Sequence, residues 1–394
     1  MKRVIYLDHA ATTPTDPRVV EAMLPYFSDL YGNPSSAHSV GRKAESAVEM
    51  ARATLARLLN CSREEVIFTA CGTESDNMAL RGPIMAAAER GQKGHIITAH
   101  SEHHAVSYTA AQVAALGLAR VTWLQVDRAG RVTPEALTDA LDQVAPGEVA
   151  VVSVMYANNE VGTVQPIREL AALAHQRGAL FHTDAVQAAG QLSLDVAELG
   201  VDMLSLSAHK FYGPKGVGLF YLRKGLELLS AQTGGGQEFG RRAGTHNVPL
   251  IVGMAKALDL AYSDLPARVD HYRTLRDALI DGVLALPGAH LTGADKAGRL
   301  PNHASFVFDG IEANALLMHL DINGIAGSSG SACNTGSPKP SEVLLSMGYP
   351  ERLALSSLRL TVGKANTLDD ITYTLNTLAG ALERIRAVRV AQGV

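Results

Sequence analysis

Between Val66 and Leu222 the chain alternates short apolar runs with helix-patterned stretches, and this rhythm constrains the fold more than any other feature. Val66–Thr69, His95–Ala99, Arg120–Leu124, Val149–Met155, Leu180–His182, Met203–Leu206 and Leu219–Leu222 read as buried strands. Asn77–Arg90, Val106–Leu116, Pro134–Leu141 and residues 166–177 read as the helices between them. Strands that alternate with helices predict an α/β fold with a mainly parallel sheet covered on both faces, whose ligands gather at the carboxyl ends of the strands. Upstream, an N-terminal arm runs to about Thr13, a helix is expected from Pro17 to about Leu30, and apolar residues at helical spacing (Ala44, Ala47, Val48, Ala51, Leu55) predict a second over Arg42–Leu59. Downstream, the glycine-rich stretch Gly234–Gly244 reads as flexible, and a long helical pattern from about Leu250 as a bridge. Beyond about Asp264 the pattern fits a smaller α+β layer that closes on a helix from Leu368 to about Val388. The expected division is therefore a large domain, 14–263, and a small one, 264–394, with the arm 1–13 packing on the latter.

Composition narrows the function. With 394 residues, 47% of them hydrophobic and 19% charged, the chain can bury a large core without disulfides. A formal net charge of −4 and the lack of any Lys/Arg block argue against nucleic acid or an anionic membrane as partner, which leaves small-molecule chemistry. The apolar stretch at the N-terminus is too short and interrupted for a signal peptide, and no later run is long enough to span a bilayer, so a cytoplasmic protein is expected. Cys61, Cys71 and Cys333 form no CxxC pair and are odd in number, so any special thiol acts alone.

Candidate chemistry collects at predicted strand ends. After Met203–Leu206 come Ser207, Ala208, His209 and Lys210, and the glycines that follow turn the chain into the next strand. Lys210 is thus fixed in a tight loop, where an amine can form a Schiff base beside a hydroxyl and an imidazole that bind an anion; the alternative is a surface lysine in a hairpin. Gly72 and Thr73 open a helix directly after a strand, which makes either an anion site or a plain N-cap. Asp184 ends another strand, with Gln187 three residues on; it is either the carboxylate that keeps a pyridine nitrogen protonated or a helix cap. His103, after Ala99, can stack on a cofactor ring and move protons, and Asn159 can bond a cofactor hydroxyl or substrate, or serve a turn. No Cys or His cluster at zinc spacing accompanies His100, His103 and His104, so no metal is expected. Small polar residues around Cys333 give it no apolar neighbours, which suits a nucleophilic thiolate, whereas Cys61 and Cys71 read as buried small hydrophobes. Arg359 is placed to bind a substrate carboxylate, or to form an ordinary surface ion pair.

The motifs YLDHAATTP, GNPSSAH, TESDN, SEHHAV, NNEVG, TDAVQ, SAHKFYGPKGVG, RAGT, SSGSAC and SSLRLTVG, in this order over nearly the whole chain, resemble the cysteine desulfurases of the NifS/IscS type in the class V aminotransferase family. The resemblance implies a fold type I pyridoxal 5'-phosphate homodimer that converts L-cysteine to L-alanine and leaves a persulfide on an active-site cysteine, here Cys333. It implies that Lys210 binds the cofactor covalently, Asp184 pairs with the pyridine nitrogen, Gln187 and Asn159 approach the ring hydroxyl, and His103 stacks. Gly72, Thr73, Ser207, His209 and, from the partner subunit, Thr245 would hold the phosphate, and Arg359 with Asn159 the substrate. The longer segment around Cys333, with Pro338 and Pro340 beyond it, resembles the group that passes sulfur to acceptor proteins such as an iron-sulfur scaffold. The chain ends soon after its last helix, so docking through the longer tail of the housekeeping members is not expected. Neighbouring activities are selenocysteine lyase, cysteine sulfinate desulfinase and plain transamination. A non-enzymatic sulfur or metal carrier is the alternative of a different class.

Overall fold

A computed structural model describes residues 4–330 and 339–392. Its strands, in chain order, are β1 (Ile5–Tyr6), β2 (Val66–Thr69), β3 (Gly94–Ala99), β4 (Ala119–Leu124), β5 (Val149–Ser153), β6 (Leu180–Asp184), β7 (Met203–Ser207) and β8 (Gly218–Leu222). There follow β9 (Ala289–Leu291), β10 (His303–Phe308), β11 (Ile325–Ala326) and β12 (Leu358–Thr361). Seven strands form the main sheet in the order β2-β8-β7-β6-β5-β3-β4. The pairs β3/β4, β3/β5, β5/β6 and β6/β7 are parallel, whereas β8 is antiparallel to both β7 and β2.

Side-chain alternation explains why the sheet is covered on both sides. Val66, Phe68, Ile97, Val152, Phe181, Leu204, Leu206, Leu219 and Tyr221 face one hydrophobic cluster, which the helices Ser39–Leu59, Ile167–Gln176 and Val248–Tyr262 complete. Their sequence neighbours Ile67, Ile96, Val151, Met203, Phe220 and Leu222 face a second cluster, under the helices Gly72–Glu89 and His104–Ala115. A period of two with both faces buried removes the polar alternation of an exposed sheet, so the strands read as continuous apolar runs.

A third cluster gathers Leu275, Leu279, Phe306, Phe308, Leu316, Leu358, Leu360 and Leu378 around the antiparallel sheet β12-β10-β9. The N-terminal arm belongs to it. Ile5 and Leu7 are buried there, β1 pairs in parallel with β11, and Thr361 N–H donates to the Leu7 carbonyl at 2.7 Å.

Three local expectations change. The single helix expected over 17–30 is two, Pro17–Met23 and Pro25–Ser28, because Pro25 has no N–H to continue the ladder. The helix expected from Asn77 begins at Gly72, with Cys71 extended at its N-cap; the low helix propensity of its first residues hid that start. The glycine-rich stretch read as flexible is anchored through Glu238, which is 4% exposed. Its carboxylate accepts from Arg52 Nη1 and Nη2 at 2.9 and 2.8 Å, from Phe68 N–H at 2.7 Å and pairs with His246 Nε2 at 2.5 Å. Glu238 and Phe239 lie at φ of 49° and 58°, left-handed values that side chains disfavour and that this anchor holds in place.

Burial alone would raise the Glu238 carboxyl, but the hydrogen bonds from Arg52 and His246 outweigh it and hold it at about 2, below its ordinary 4.5. A group depressed on folding stabilises the native state above its unfolded value and loses that contribution as the pH falls. The pair therefore contributes fully above about pH 4.5 and loses its contribution as the pH falls towards 2. Glu238→Ala, which leaves the Arg52 guanidinium only Glu49 Oε1 at 2.9 Å and the Val66 carbonyl at 2.6 Å, is expected to cost about 2–3 kcal/mol in urea unfolding at pH 7. Its deficit against the wild type should shrink at acid pH, and a constant deficit would show that the carboxylate charge is not what anchors the segment.

Candidate active site

The carboxyl ends of β2, β3, β5, β6 and β7 open onto one cavity of about 290 Å³, at the low end of the size of small-molecule sites. Ten of the residues singled out from sequence line it: Gly72, Thr73, His103, Asn159, Asp184, Gln187, Ser207, His209, Lys210 and Arg359. Thr245 does not; it is exposed on its own chain. Cys333 lies outside the described residues.

Lys210 sits in a short 3-10 turn, Ala208–Lys210, on the connection from β7 to β8. Its Nζ donates to the carbonyls of Ala10 and Ala11 at 2.5 and 2.8 Å, and Gln187 Nε2 donates to the same Ala10 carbonyl at 3.0 Å. Burial and then the Arg359 charge lower the amine from 10.5 to about 8, against the opposing pull of Asp184 and Asp8. A lysine so depressed holds a useful fraction of free, nucleophilic amine near neutral pH. Labelling of Lys210 by pyridoxal and borohydride in the cofactor-free protein should therefore be half-maximal near pH 8. A midpoint near 10 would show an ordinary, solvated lysine.

Around this amine the sheet edge supplies the remaining groups. The helix Gly72–Glu89 points its N-terminus into the cavity, and its first amides have no intrahelical acceptor. A Cβ on Gly72 would lie 2.9 Å from Val186 Cγ2, so the backbone there can be approached closely only because the position is glycine. The Thr73 and Ser207 hydroxyls and the His209 imidazole stand beside these amides; burial, then Lys210 and Lys215, lowers His209 to about 4, which leaves it neutral. Opposite, Asp184 is buried at the end of β6 and accepts from Val186 N–H at 2.9 Å. Burial raises its proton affinity, with the charges of His103 and Lys210 opposing, so it is a carboxylate short of a cationic partner. His103 caps the helix His104–Ala115 through Nδ1, which accepts from Ala105 N–H at 3.1 Å and leaves Nε2 for the cavity; burial lowers its basicity.

Arg359 is not the surface residue of the bland reading. It is 6% exposed, its Nη1 donates to the Asn159 carbonyl and its Nη2 to Asp8 Oδ1, both at 2.9 Å, and its buried Nε has no partner. A guanidinium held on two sides and lining the cavity is oriented to receive a carboxylate.

Two features were not read from sequence. Asp76, one turn into the helix that begins at Gly72, lines the cavity floor; its Oδ1 has no hydrogen-bond partner and lies 3.7 Å from His182 Nε2, which in turn bonds Ser205 Oγ at 3.0 Å. The signal was its spacing of four from Gly72, which puts both on one helix face. The other is the arm, whose Ala10 and Ala11 carbonyls hold the lysine. Nothing in HAATT marks that role. Cys71, expected to be buried, is exposed at the rim, because an N-cap at a sheet edge has no core to enter. Cys61 is partly buried against the main core, and burial pushes its thiol up to about 12. His100 stacks on Trp123 and His104 on Tyr108, and among the described residues no group of His, Cys, Asp and Glu could hold a metal ion.

An amine of lowered pKa, an anion cradle at a helix N-terminus and a buried carboxylate across from them define a site for a phosphorylated pyridine aldehyde. Pyridoxal 5'-phosphate fits these residues, and when bound it supplies an electron sink that stabilises a carbanion on an amino acid substrate. The sequence model of the Aminotransferase class-V family matches residues 5–373, and the chain belongs to this family of pyridoxal phosphate enzymes. It is 45% identical over 388 residues to a protein of Clostridium botulinum named cysteine desulfurase IscS, covering 98% of this chain and 96% of that one. Among solved structures it is similar to a NifS-like protein (TM-score 0.88, 37% identity, 96% of this chain and 99% of that one). It is also similar to SspA in complex with cysteine (TM-score 0.79, 32% identity, 92% and 100%). The fold class read from sequence, an α/β fold type I enzyme, is borne out. No helix among the described residues is long and apolar enough to cross a membrane.

Proposed function

We propose that this protein is a cysteine desulfurase that converts L-cysteine to L-alanine and leaves the sulfur as a persulfide on Cys333. The observation that carries the reading is the convergence of Lys210, Asp184, His103 and Arg359 on one cavity, with the anion cradle of Gly72, Thr73, Ser207 and His209 at its side. In this reading Arg359 and Asn159 hold the substrate carboxylate, and Lys210 removes and returns protons at the substrate Cα. Asp184 keeps a positive charge on the ring nitrogen, Gln187 and Asn159 face the ring hydroxyl, and His103 covers the ring and moves protons. The Cys333 thiolate attacks the substrate sulfur; the S–S bond forms as the C–S bond breaks, the electron pair stays on Cβ, and Cβ takes a proton to give alanine. No external oxidant is needed.

We further propose a cytoplasmic homodimer with a large domain, 14–263, a small one, 264–394, and the arm 1–13 packed on it. The separate apolar clusters support the division. Thr245, exposed and away from its own cavity, is available to the partner's phosphate site, and the exposed Val20, Leu24 and Phe27 offer apolar surface for a second subunit. The sulfur would pass to an acceptor protein such as an iron-sulfur scaffold. The test supplies L-cysteine and a reductant to the yellow, borohydride-bleachable holoenzyme and measures sulfide and alanine together. Equal amounts support the reading; pyruvate with sulfide, or keto acid without sulfide, would point to a lyase or a transaminase instead.

A further inference from the structure

We propose that Asp8 is a positioning residue that sets both cations of the cavity, Arg359 through its side chain and Lys210 through its main chain. The inference rests on the reading of Arg359 as the group that receives the substrate carboxylate, and extends it to a residue outside the cavity. Ala10, Ala11, Lys210 and Arg359 line the cavity, whereas Asp8 does not. Its contact with the site runs through Arg359, whose Nη2 donates to Asp8 Oδ1 at 2.9 Å in a pair with side chains 8% and 20% exposed. Asn159 O takes Nη1 at 2.9 Å, and Nε has no partner. A guanidinium on a long, rotatable stem presents one edge to a carboxylate only when its other donors are held, and Asp8 holds one of them with a full charge.

The main chain of the same residue acts on the amine. The Asp8 carbonyl accepts from Ala11 N–H and from the Tyr6 hydroxyl, both at 3.0 Å, which closes a turn over 8–11. A closed turn fixes where its inner carbonyls point, and those of Ala10 and Ala11 accept from Lys210 Nζ. Both ends of the turn are pinned to the site. Ala10 N–H donates to Thr361 Oγ1 at 2.9 Å, two residues beyond Arg359 on β12, and Thr13 N–H donates at 2.9 Å to the carbonyl of His209, immediately before Lys210. One arm residue therefore fixes the guanidinium and the amine relative to each other, and a substrate that must meet the first with its carboxylate and the second with its Cα depends on that spacing. The Asp8 charge acts as well. Asp8 and Asp184 on β6 favour the protonated amine and Arg359 opposes it, with the His103 and His209 imidazoles beside it, both of lowered basicity.

The test titrates the holoenzyme with L-alanine and with ethylamine, the same amine without its carboxylate, and reads cofactor absorbance. Asp8→Ala is expected to weaken L-alanine about tenfold, the scale of one charge-assisted hydrogen bond, and to leave ethylamine within about twofold. Asp8→Asn, which still offers an oxygen to Arg359 Nη2, should recover most of the alanine affinity. A second readout separates charge from shape. In the cofactor-free full-length chain, the midpoint for pyridoxal labelling of Lys210 should fall below the wild-type value in both variants, because each removes a negative charge that favours the protonated amine. Unchanged alanine affinity in Asp8→Ala, ethylamine weakened as much as alanine, no recovery with asparagine, or a labelling midpoint that rises towards the ordinary lysine value, as an undocked arm gives, each overturns the proposal. If the wild type binds ethylamine as tightly as L-alanine, the reading of Arg359 as the carboxylate site falls and this proposal with it; a preference for alanine that Asp8→Ala leaves intact overturns the proposal alone.

Discussion

Replacing Lys210 with alanine is expected to end sulfide and alanine production from L-cysteine, with a fall of at least about 10²–10⁴-fold, the usual worth of a positioned proton-transfer group, before the lost covalent link is counted. The structure gives the reason in two parts. Lys210 is the amine in the cavity that burial and Arg359 together depress to about 8, and its Nζ is aimed by two backbone carbonyls rather than by a competing carboxylate. Its removal leaves the cradle at Gly72 and Thr73 and the carboxylate of Asp184 in place, so the variant should still bind pyridoxal 5'-phosphate, but reversibly and without the borohydride-fixed adduct. Measured sulfide release near the wild-type rate would remove Lys210 from the chemistry and with it the reading of the site.

Replacing Cys333 with serine is expected to give a protein that takes up cofactor and L-cysteine normally and makes no persulfide. Sulfide release should fall by at least about two orders of magnitude, because a hydroxyl ionises far less readily than a thiol and its oxygen attacks sulfur poorly. Lys210, Asp184 and Arg359 are untouched by the change, so the spectral response to cysteine should persist. Mass spectrometry after cysteine and alkylation should place the extra sulfur on the Cys333 peptide in the wild type. The partly buried Cys61, with its raised pKa, is a poor competitor, whereas Cys71 at the cavity rim is the control that matters. Sulfur on Cys71, or full activity in the serine variant, would move the acceptor to a different thiol.

Much of this architecture was legible because the main strands are buried on both faces. A run such as Met203–Leu206 has no polar face to confuse its assignment, and the helices between strands carry a clear period. The strand-end position of Lys210, Asp184 and His103 followed from the same pattern, since a parallel sheet brings its carboxyl ends together. What stayed hidden came from contacts distant in sequence. Asp8 meets Arg359 across 351 positions, and Ala10 meets Lys210 across 200. No local pattern encodes such pairs. The anchoring of Gly234–Gly244 was equally out of reach, because its glycines speak for freedom while its hold, Arg52, lies in another helix. Asp76 was passed over since a polar residue in a first helical turn ordinarily faces water.

Among the described residues β8 is the one strand of the main sheet that runs against the rest, and this has a consequence for synthesis. β2 is complete at residue 69, yet its only neighbour in the sheet is β8, which ends at residue 222. The helix start at Gly72 and Thr73, which follows β2 directly, therefore waits for about 150 further residues before it is seated beside the lysine loop. Arg359 and the strand that receives the N-terminal arm come later still. A nascent chain released before β12 would hold most of the cavity's side chains but would lack Arg359 altogether, and with it the strand whose Thr361 N–H holds the arm that orients the amine. The orientation of an amine made at residue 210 thus waits for a strand made about 150 residues later.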